Sequence, residues 1–222
     1  MIFSENLKQA ADPILKAQYE HPFVKGLGDG TLPLEKFRFY MIQDTLYIVE
    51  FARAMAWTAP LLARVEDVIA MLDAAKETFK IESMLKEQYF GQFGIDVEEA
   101  LRSQMAPTCM AYVDHLIRYT HGGSCAEALA TILPCGWIYV EIGHHFTTGR
   151  TIPDDHVYKS WLMTYAVPEF REMVNWWFSL LDEAAAGLTD AGKLHVQDIF
   201  LASCRYEWMF WDMGWGGEEW KP

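Results

Sequence analysis

Two acidic side chains fall on helix faces that the apolar periodicity predicts to be buried. Asp44 lies four residues after Tyr40 and three before Tyr47, within the stretch FRFYMIQDTLYIVEFARA. Glu207 lies four residues before Trp211 on an apolar face near the C-terminus. Burying an ionised carboxylate without a partner costs on the order of several kcal/mol, so both inward acids need a reason.

Each acid has a structural interpretation beside a chemical one. Tyrosine hydroxyls or a neighbouring helix could hold Asp44 only to fix packing, and Glu207 could form a buried ion pair with Arg205 or a lysine. Alternatively, a wall of indole rings would raise the pKa of Glu207, as a proton donor working near neutral pH requires. Periodicity alone leaves both interpretations open.

A cysteine that could act as a nucleophile lies in the stretch LPCGWIYVEIG, residues 133–143. A spacing of four places Cys135 and Tyr139 on one helix face. Pro134 lacks an N–H, so a kink is expected if the helix continues through it, and Gly136 lets another group approach the backbone closely beside the thiol. Because buried cysteines more often pack as small hydrophobic residues, this segment alone does not establish a nucleophile.

The elements that must position these side chains are all predicted to be helices. Apolar residues recur at three- and four-residue spacing almost throughout, without β-type alternation or a hairpin turn, and no linker divides the chain. We therefore predict one all-α domain over residues 1–222. The predicted helices span about 3–19, 33–58, 63–91, 96–104, 107–121, 124–149, 154–166, 168–187 and 190–213. Breaks are predicted at HPF (21–23) and GLGDG (26–30), and Ser124 with Glu127 forms a capping-box pattern.

Composition limits the class of partner. The chain has 18 Lys and Arg against 31 Asp and Glu, a formal net charge of −13, which repels nucleic acid and anionic membrane surfaces. The N-terminus lacks a signal-peptide pattern, and no run of about 18 uncharged apolar residues occurs, so a cytoplasmic protein without a membrane segment is predicted. The four cysteines form no CxxC pair and are expected to be reduced.

Beyond these patterns, the chain resembles the TenA family, also called the thiaminase II family. The matching stretches are residues 21–54, 133–143, 161–170 and 203–213, in the family's order and over nearly the whole chain. The resemblance implies a haem oxygenase-like helical bundle without the haem, assembled as a homotetramer and using no cofactor. It also implies aminopyrimidine aminohydrolase activity in thiamin salvage: conversion of 4-amino-5-aminomethyl-2-methylpyrimidine to hydroxymethylpyrimidine plus ammonia, and cleavage of thiamin by the same chemistry.

The resemblance also implies site roles, taken residue by residue. Cys135 matches the nucleophile, Glu207 the acid/base that contacts the pyrimidine ring nitrogen, and Asp44 the carboxylate that binds the exocyclic amine. The family's pocket tyrosines are matched by Tyr47, Tyr112, Tyr139 and Tyr165. The chain departs from the family's Ala-Tyr ending at residues 214–217, Gly-Trp-Gly-Gly, which leaves the local shape near the pocket open.

The thiol assigned as nucleophile needs a lowered pKa. No lysine or histidine lies within one helical turn of Cys135 on its own face. A tyrosine hydroxyl or the interrupted backbone at Pro134 is therefore expected to supply the hydrogen-bond donor.

Two other functions compete with this assignment. A di-metal oxidase would draw on two Glu-x-x-His motifs and two further carboxylates, but only Glu141 with His144 has that spacing, so a packing or solvated role is favoured for the pair and no metal is expected. A non-enzymatic regulatory or interaction protein would have to act through a protein partner, because the chain has no basic helix or patch for DNA. Turnover of the aminopyrimidine would separate this alternative from an enzyme.

Overall fold

The computed structural model describes residues 2–85 and 90–222, which form α-helices joined by short turns, with no strand among them. The predicted all-α class is confirmed. The helices are α1 (Phe3–Glu20), α2 (Pro22–Asp29), α3 (Leu34–Thr58), α4 (Val65–Leu85), α5 (Gly91–Phe93), α6 (Val97–Arg102), α7 (Pro107–Gly122), α8 (Cys125–Thr147), α9 (Lys159–Ala166), α10 (Pro168–Ala185) and α11 (Asp190–Gly216), with a 3-10 turn at Ala59–Leu61.

Helix α8 forms the centre of the bundle. It packs against α7, α9, α10 and α11, and most residues along it are buried. By length and hydropathy it could span a membrane, but its burial among these neighbours is typical of the core helix of a globular fold. The predicted capping box is present at its start, where Ser124 Oγ accepts from the Glu127 N–H and Glu127 Oε2 accepts from the Ser124 N–H at 2.7 Å.

The central helix continues through Pro134 without a break. The close approach expected at Gly136 is confirmed, because a Cβ added there would lie 3.1 Å from Trp177 Cζ3 and 3.1 Å from Val174 Cγ2 of α10. Helix α10 therefore packs directly against the backbone that follows Cys135.

Helix breaks occur within both stretches predicted to contain one, at His21 and at Gly30, but the residues between them, Pro22–Asp29, form a helix, α2, that the sequence did not predict. His21 Nδ1 accepts the Phe23 N–H at 3.1 Å, and Gly30, with a φ of 79°, ends the helix in the left-handed region. Phe23 and Leu27 are buried. Capping and the burial of these apolar side chains outweigh the turn-forming glycines.

Most other predicted helix ends lie within a few residues of those observed. Helix α9 begins at Lys159 instead of residue 154, because the preceding residues form turns in which Pro153 O accepts the His156 N–H at 3.2 Å. The described part of α4 ends at Leu85, and residues 86–89 of the helix predicted over 63–91 lie outside the described residues.

Candidate active site

A cavity of about 270 Å³ opens among α3, α4, α8, α9 and α10. Its wall contains Asp44, Cys135, Tyr139 and Tyr165 of the predicted site residues. The other lining residues are Ile48, Phe51, Thr78, Gly136, Thr164, Val167, Phe170, Met173 and Trp177. Among the described residues that line it there is no lysine, arginine or histidine. The cavity is therefore a mainly apolar and aromatic chamber that contains one carboxylate and one thiol.

A wider surface groove lies at the far end of α10, beside Leu61 and Leu188. It also contains a thiol, Cys125, and two acids, Asp67 and Glu183, both of which pair with Arg64. However, Asp67 is ion-paired with Arg64 at 2.6 Å, which holds the pKa of that carboxyl below its usual range. This paired acid cannot serve as a proton donor near neutral pH, so the chamber around Cys135 is the better candidate.

Glu207 of α11 lies next to the Cys135 thiol, which lines the chamber, and is 2% exposed. Its Oε1 accepts a 2.6 Å hydrogen bond from the Tyr112 hydroxyl of α7. Burial raises the pKa of Glu207 to about 8, although Tyr112 opposes the shift. The hydrogen-bond partner of the acid is thus a phenol rather than Arg205, which is exposed. At neutral pH much of Glu207 carries a proton that it can donate.

Asp44 of α3 lines the chamber and is 8% exposed. Burial raises its pKa to about 7, and the hydroxyl of Tyr40, one helical turn earlier, limits the shift. Tyr40 Oη also lies 2.9 Å from Tyr139 Oη on α8. This phenol pair fixes α3 against α8 and leaves the Asp44 carboxylate directed at the chamber.

Cys135 is partly buried, with one side open to the chamber. Burial raises the pKa of its thiol well above the usual value; the charges of Glu207 and Asp44 raise it further, and only the Tyr47 hydroxyl lowers it. The expected lowering of the thiol pKa is therefore wrong, because desolvation exceeds the effect of one phenol. The resting residue is a neutral thiol beside a protonatable carboxyl.

The Tyr47 hydroxyl lies beside the thiol and beside Tyr112, where it affects the pKa of both groups. The hydroxyl oxygen of Tyr47 is buried, and it has no hydrogen-bond partner of normal geometry among the described residues. Since buried hydroxyls are rarely left unsatisfied, this phenol is available to a thiolate formed during a reaction.

The remaining aromatic rings join these groups into one cluster. Tyr47 and Tyr112 have ring centroids 4.8 Å apart, and Tyr139 and Tyr165 have centroids 4.9 Å apart. The structure thus brings together every residue predicted for the site: Asp44, Tyr47, Tyr112, Cys135, Tyr139, Tyr165 and Glu207.

A comparison with protein families shows which family the chain belongs to. The family model described as TENA/THI-4/PQQC family matches residues 8–217, which include every residue of the cluster. The chain belongs to this family. The chain is similar to proteins with named activities and to proteins with solved structures.

Two relatives that match the whole chain have the same name. The aminopyrimidine aminohydrolase of Halalkalibacterium halodurans is 35% identical over 221 residues, covering 100% of this chain and 99% of that protein. The aminopyrimidine aminohydrolase of Bacillus subtilis is 32% identical over 221 residues, covering 100% of this chain and 93% of that protein.

Solved structures agree on the fold of this TENA-family chain. A TenA homologue from P. horikoshii superposes with a TM-score of 0.87 at 27% identity, covering 98% of this chain and 100% of that one. A protein described as a TenA family transcription regulator, from Silicibacter, gives 0.85 at 25% identity and covers 95% of each chain. A domain with a heme oxygenase-like fold from Shewanella denitrificans gives 0.72 at 13% identity. The predicted haem oxygenase-like bundle is confirmed.

Glu141 and His144, the single Glu-x-x-His pair, lie outside the chamber. Both contact Arg171 of α10, whose Nη1 donates to Glu141 Oε1 at 3.1 Å and whose Nε donates to His144 Nε2 at 3.2 Å. Within the described residues, no group of three or more His, Cys, Asp or Glu side chains could hold a metal ion. The pair therefore fastens α8 to α10, which is a packing role.

Sequence reasoning missed the contacts of Tyr40, which lies beside the chamber, and of Trp177, which lines it. Tyr40 belongs to the same helix face as Asp44, so its contact with the acid follows from a spacing of four, but its bond to Tyr139 does not. Trp177 packs on Gly136, and the sequence signal was the glycine alone. Which side chain would fill the space above that glycine depends on how α10 packs.

Proposed function

We propose that this TENA-family member is an aminopyrimidine aminohydrolase of thiamin salvage. It would convert 4-amino-5-aminomethyl-2-methylpyrimidine and water to hydroxymethylpyrimidine and ammonia. The observation that carries the proposal is a thiol, Cys135, in an apolar chamber between two buried carboxyls whose pKa values burial raises to about 7 and about 8. The names of the two full-length relatives support the same reaction.

Ring binding is assigned to the chamber wall and Asp44. The ionised carboxylate accepts a hydrogen bond from the exocyclic amino group of the pyrimidine, which orients the ring in the chamber. The flat faces of the ring pack against the aromatic wall, including Phe51 and Tyr139. A ring held this way lies against Cys135, with its ring nitrogen toward Glu207.

The addition step forms the bond from Cys135 Sγ to the ring carbon next to that nitrogen. The protonated Glu207 carboxyl donates to the ring nitrogen, which draws electrons from the carbon under attack. The thiol proton passes to the carboxylate left behind, so Glu207 ends the step with the proton count it began with. Tyr47, beside the sulfur, stabilises negative charge while that proton is in transit.

The elimination step breaks the bond from the exocyclic methylene to nitrogen. Electrons from the amino group held by Asp44 move through the adduct to form the methylene double bond, and ammonia leaves when the substrate amine enters protonated. The carboxylate stabilises the positive charge that appears on the amino group. Water then adds to the methylene and loses a proton, and the C–S bond breaks with return of the ring proton, which regenerates Cys135 and Glu207.

The same sequence of steps releases a thiazole in place of ammonia when thiamin is the substrate. Each step uses only side chains and water, so the proposed reaction requires no cofactor. By the same family resemblance, we propose a cytoplasmic homotetramer whose partner is the small pyrimidine substrate, without nucleic acid or membrane.

The test is turnover by the purified protein. Ammonia release and hydroxymethylpyrimidine formation, in equal amounts, are expected from the aminopyrimidine, and the rate should be compared with thiamin cleavage under the same conditions. A folded protein that turns over neither compound would contradict the proposal and favour a regulatory or interaction role.

A further inference from the structure

Residues 104–109, which we call the α7 corner, lead into and begin the helix that bears Tyr112. Helix α7 lacks a side-chain cap of its own, because its N-cap residue is Ala106 and its first residue is Pro107. Its first N–H groups therefore need acceptors from elsewhere in the chain. One side chain from α3 and one from the tail after α11 accept N–H groups at this corner.

Gln43 of α3 holds the corner from one side. This buried side chain accepts the Ala106 N–H at 2.8 Å through Oε1 and donates to Gln104 O at 3.1 Å through Nε2. Its backbone oxygen also accepts from the Cys109 thiol at 3.6 Å. Gln43 directly precedes Asp44, so the corner is fastened to the helix that bears the substrate-binding carboxylate.

The tail after α11 holds the corner from the other side. Glu218 accepts the Thr108 N–H at 2.8 Å through Oε2 and the Thr108 hydroxyl at 3.1 Å through Oε1. A carboxylate at a helix N-terminus also interacts favourably with the helix dipole. Trp220 Nε1 donates to Met105 O at 2.8 Å.

These contacts join α7 and α11 at two points near Glu207. Tyr112 lies one helical turn after Thr108, and its hydroxyl donates to Glu207 on the same helix that leads into Glu218. The tail therefore fixes α7 relative to α11 at one point, and the Tyr112 to Glu207 bond joins the same two helices at a second point. A shift of the corner would move the phenol along the acid.

We propose that Glu218 and Gln43 are positioning residues, which hold the α7 corner so that Tyr112 stays in hydrogen-bonding register with Glu207. The inference rests on the proposed function only in taking Glu207 as the catalytic acid. The glycine-rich ending, residues 214–217, leads the chain to Glu218 and so to its contacts with the α7 corner.

The first test measures the titration of Glu207 in the Glu218→Ala variant by ¹³C NMR of labelled glutamate. The Glu207 signal is assigned by its absence from the spectrum of Glu207→Gln. Loosening the Tyr112 bond removes a donor that lowers this pKa, so the Glu207 titration should move to higher pH. The other titratable groups around the acid are the same in both proteins: Tyr40, Asp44, Tyr47, Cys135, Tyr139 and Cys204.

The matched control is Glu219→Ala, which removes the same charge from the next residue. Glu219 is exposed and makes no hydrogen bond or ion pair within the described part of the chain. Glu207 in the Glu219→Ala variant should titrate as it does in the wild type. Glu218→Gln, whose amide oxygen can still accept the Thr108 N–H, should fall between the wild type and Glu218→Ala. Equal Glu207 titrations in Glu218→Ala and Glu219→Ala would overturn the inference.

The second test is a double-mutant cycle on turnover. We expect Glu218→Ala to lower kcat about tenfold with little change in KM, since small misplacements of catalytic groups cost up to about a hundredfold. In a Tyr112→Phe background, the same change should have almost no further effect, because the bond it protects is absent. Full additivity of the two variants would contradict action through Tyr112.

The two readouts separate this inference from the proposed function. If the wild type shows no turnover, the proposed function is contradicted, and the NMR titration still decides whether Glu218 acts on Glu207. If the wild type shows turnover and Glu218→Ala changes neither turnover nor the Glu207 titration, only the inference about Glu218 is contradicted. A lower melting temperature in Glu218→Ala with an unchanged Glu207 titration would assign the tail a purely structural role.

Discussion

The Tyr112 hydroxyl donates a 2.6 Å hydrogen bond to Glu207, and this bond joins α7 to α11 beside the Cys135 thiol. Burial keeps both the acid and the thiol protonated near neutrality, because it raises both pKa values. The resting site therefore contains a neutral thiol and a protonated carboxyl instead of a thiolate. In the proposed mechanism, the thiolate of Cys135 forms only when a bound ring takes the proton of Glu207 and the resulting carboxylate accepts the thiol proton.

This arrangement predicts the pH dependence of catalysis. Asp44 must be ionised to accept the amino group, and Glu207 must be protonated to donate, with pKa values of about 7 and about 8. A plot of kcat/KM against pH should therefore rise through about 7 and fall above about 8, with apparent values that belong to the interacting pair. Thiamin is the suitable substrate, because its quaternary thiazolium does not titrate as an amine does.

Tyr112→Phe should shift only one limb of that profile. The variant loses the donor that lowers the pKa of Glu207, so the falling limb should move to higher pH while the rising limb stays. A falling limb that stays in place or moves to lower pH would show that Glu207 is not the group titrating there.

Asp44→Ala should weaken pyrimidine binding. A charge-assisted hydrogen bond contributes about 1.5–3 kcal/mol, so Kd for the hydroxymethylpyrimidine product should rise by about 10- to 150-fold. The product allows calorimetry without turnover. Asp73→Ala, an exposed aspartate on α4, removes the same charge and should bind normally. Equal affinities for the two variants would place the amino group elsewhere.

The buried acids should make the protein less stable at high pH. Asp44 and Glu207 have pKa values raised from 3.8 and 4.5 to about 7 and about 8, so the folded state binds more protons than the unfolded chain across that window. The free energy of unfolding should therefore fall as the pH rises from about 4 to about 8 and then level off.

Glu207→Gln tests this linkage, because glutamine keeps an acceptor for Tyr112 but cannot ionise. Its melting temperature should exceed that of the wild type at about pH 8.5, by an amount that shrinks toward about pH 5. Glu219→Gln, on the exposed tail, should show no such pH-dependent difference. A Glu207→Gln variant that is less stable than wild type at the higher pH would contradict the raised pKa.

The glycines near the C-terminus should respond unequally to substitution. A Cβ at Gly214 would lie 2.9 Å from Phe23 Cε2 and 3.3 Å from Tyr40 Cβ, so Gly214→Ala should lower stability by about 1–3 kcal/mol. Gly216 has no such neighbour within 4 Å, and Gly216→Ala should be neutral or stabilising by up to about 1 kcal/mol. Thermal denaturation checks both, and equal losses would mean that α2 does not pack on Gly214 as closely as described.

The sequence predicted the central helix and the inward acids because both depend on local spacing. Helix α8 has its own capping box and an apolar pattern, and Asp44 and Glu207 are placed by the apolar residues three and four positions away. Helix α2 was missed because its stability comes from the burial of Phe23 and its neighbours against other helices, which turn-forming glycines conceal.

The electrostatics of the site could not be predicted in the same way. Whether Glu207 meets Arg205 or Tyr112 depends on which helix lies opposite α11, and spacing along α11 carries no such information. The pKa of Cys135 depends on how completely neighbouring helices exclude water. Both quantities belong to the packing between helices rather than to any one of them.

The most direct test of the account is the rate of ammonia release by Cys135→Ser, with Cys125→Ser, outside the chamber, as its matched control. Cys135→Ser should lose at least about a thousandfold in kcat, the scale on which loss of a covalent nucleophile is felt. It should still bind the pyrimidine product, and Cys125→Ser should turn over normally. A Cys135→Ser enzyme that retains a near-normal rate would contradict covalent addition by Cys135.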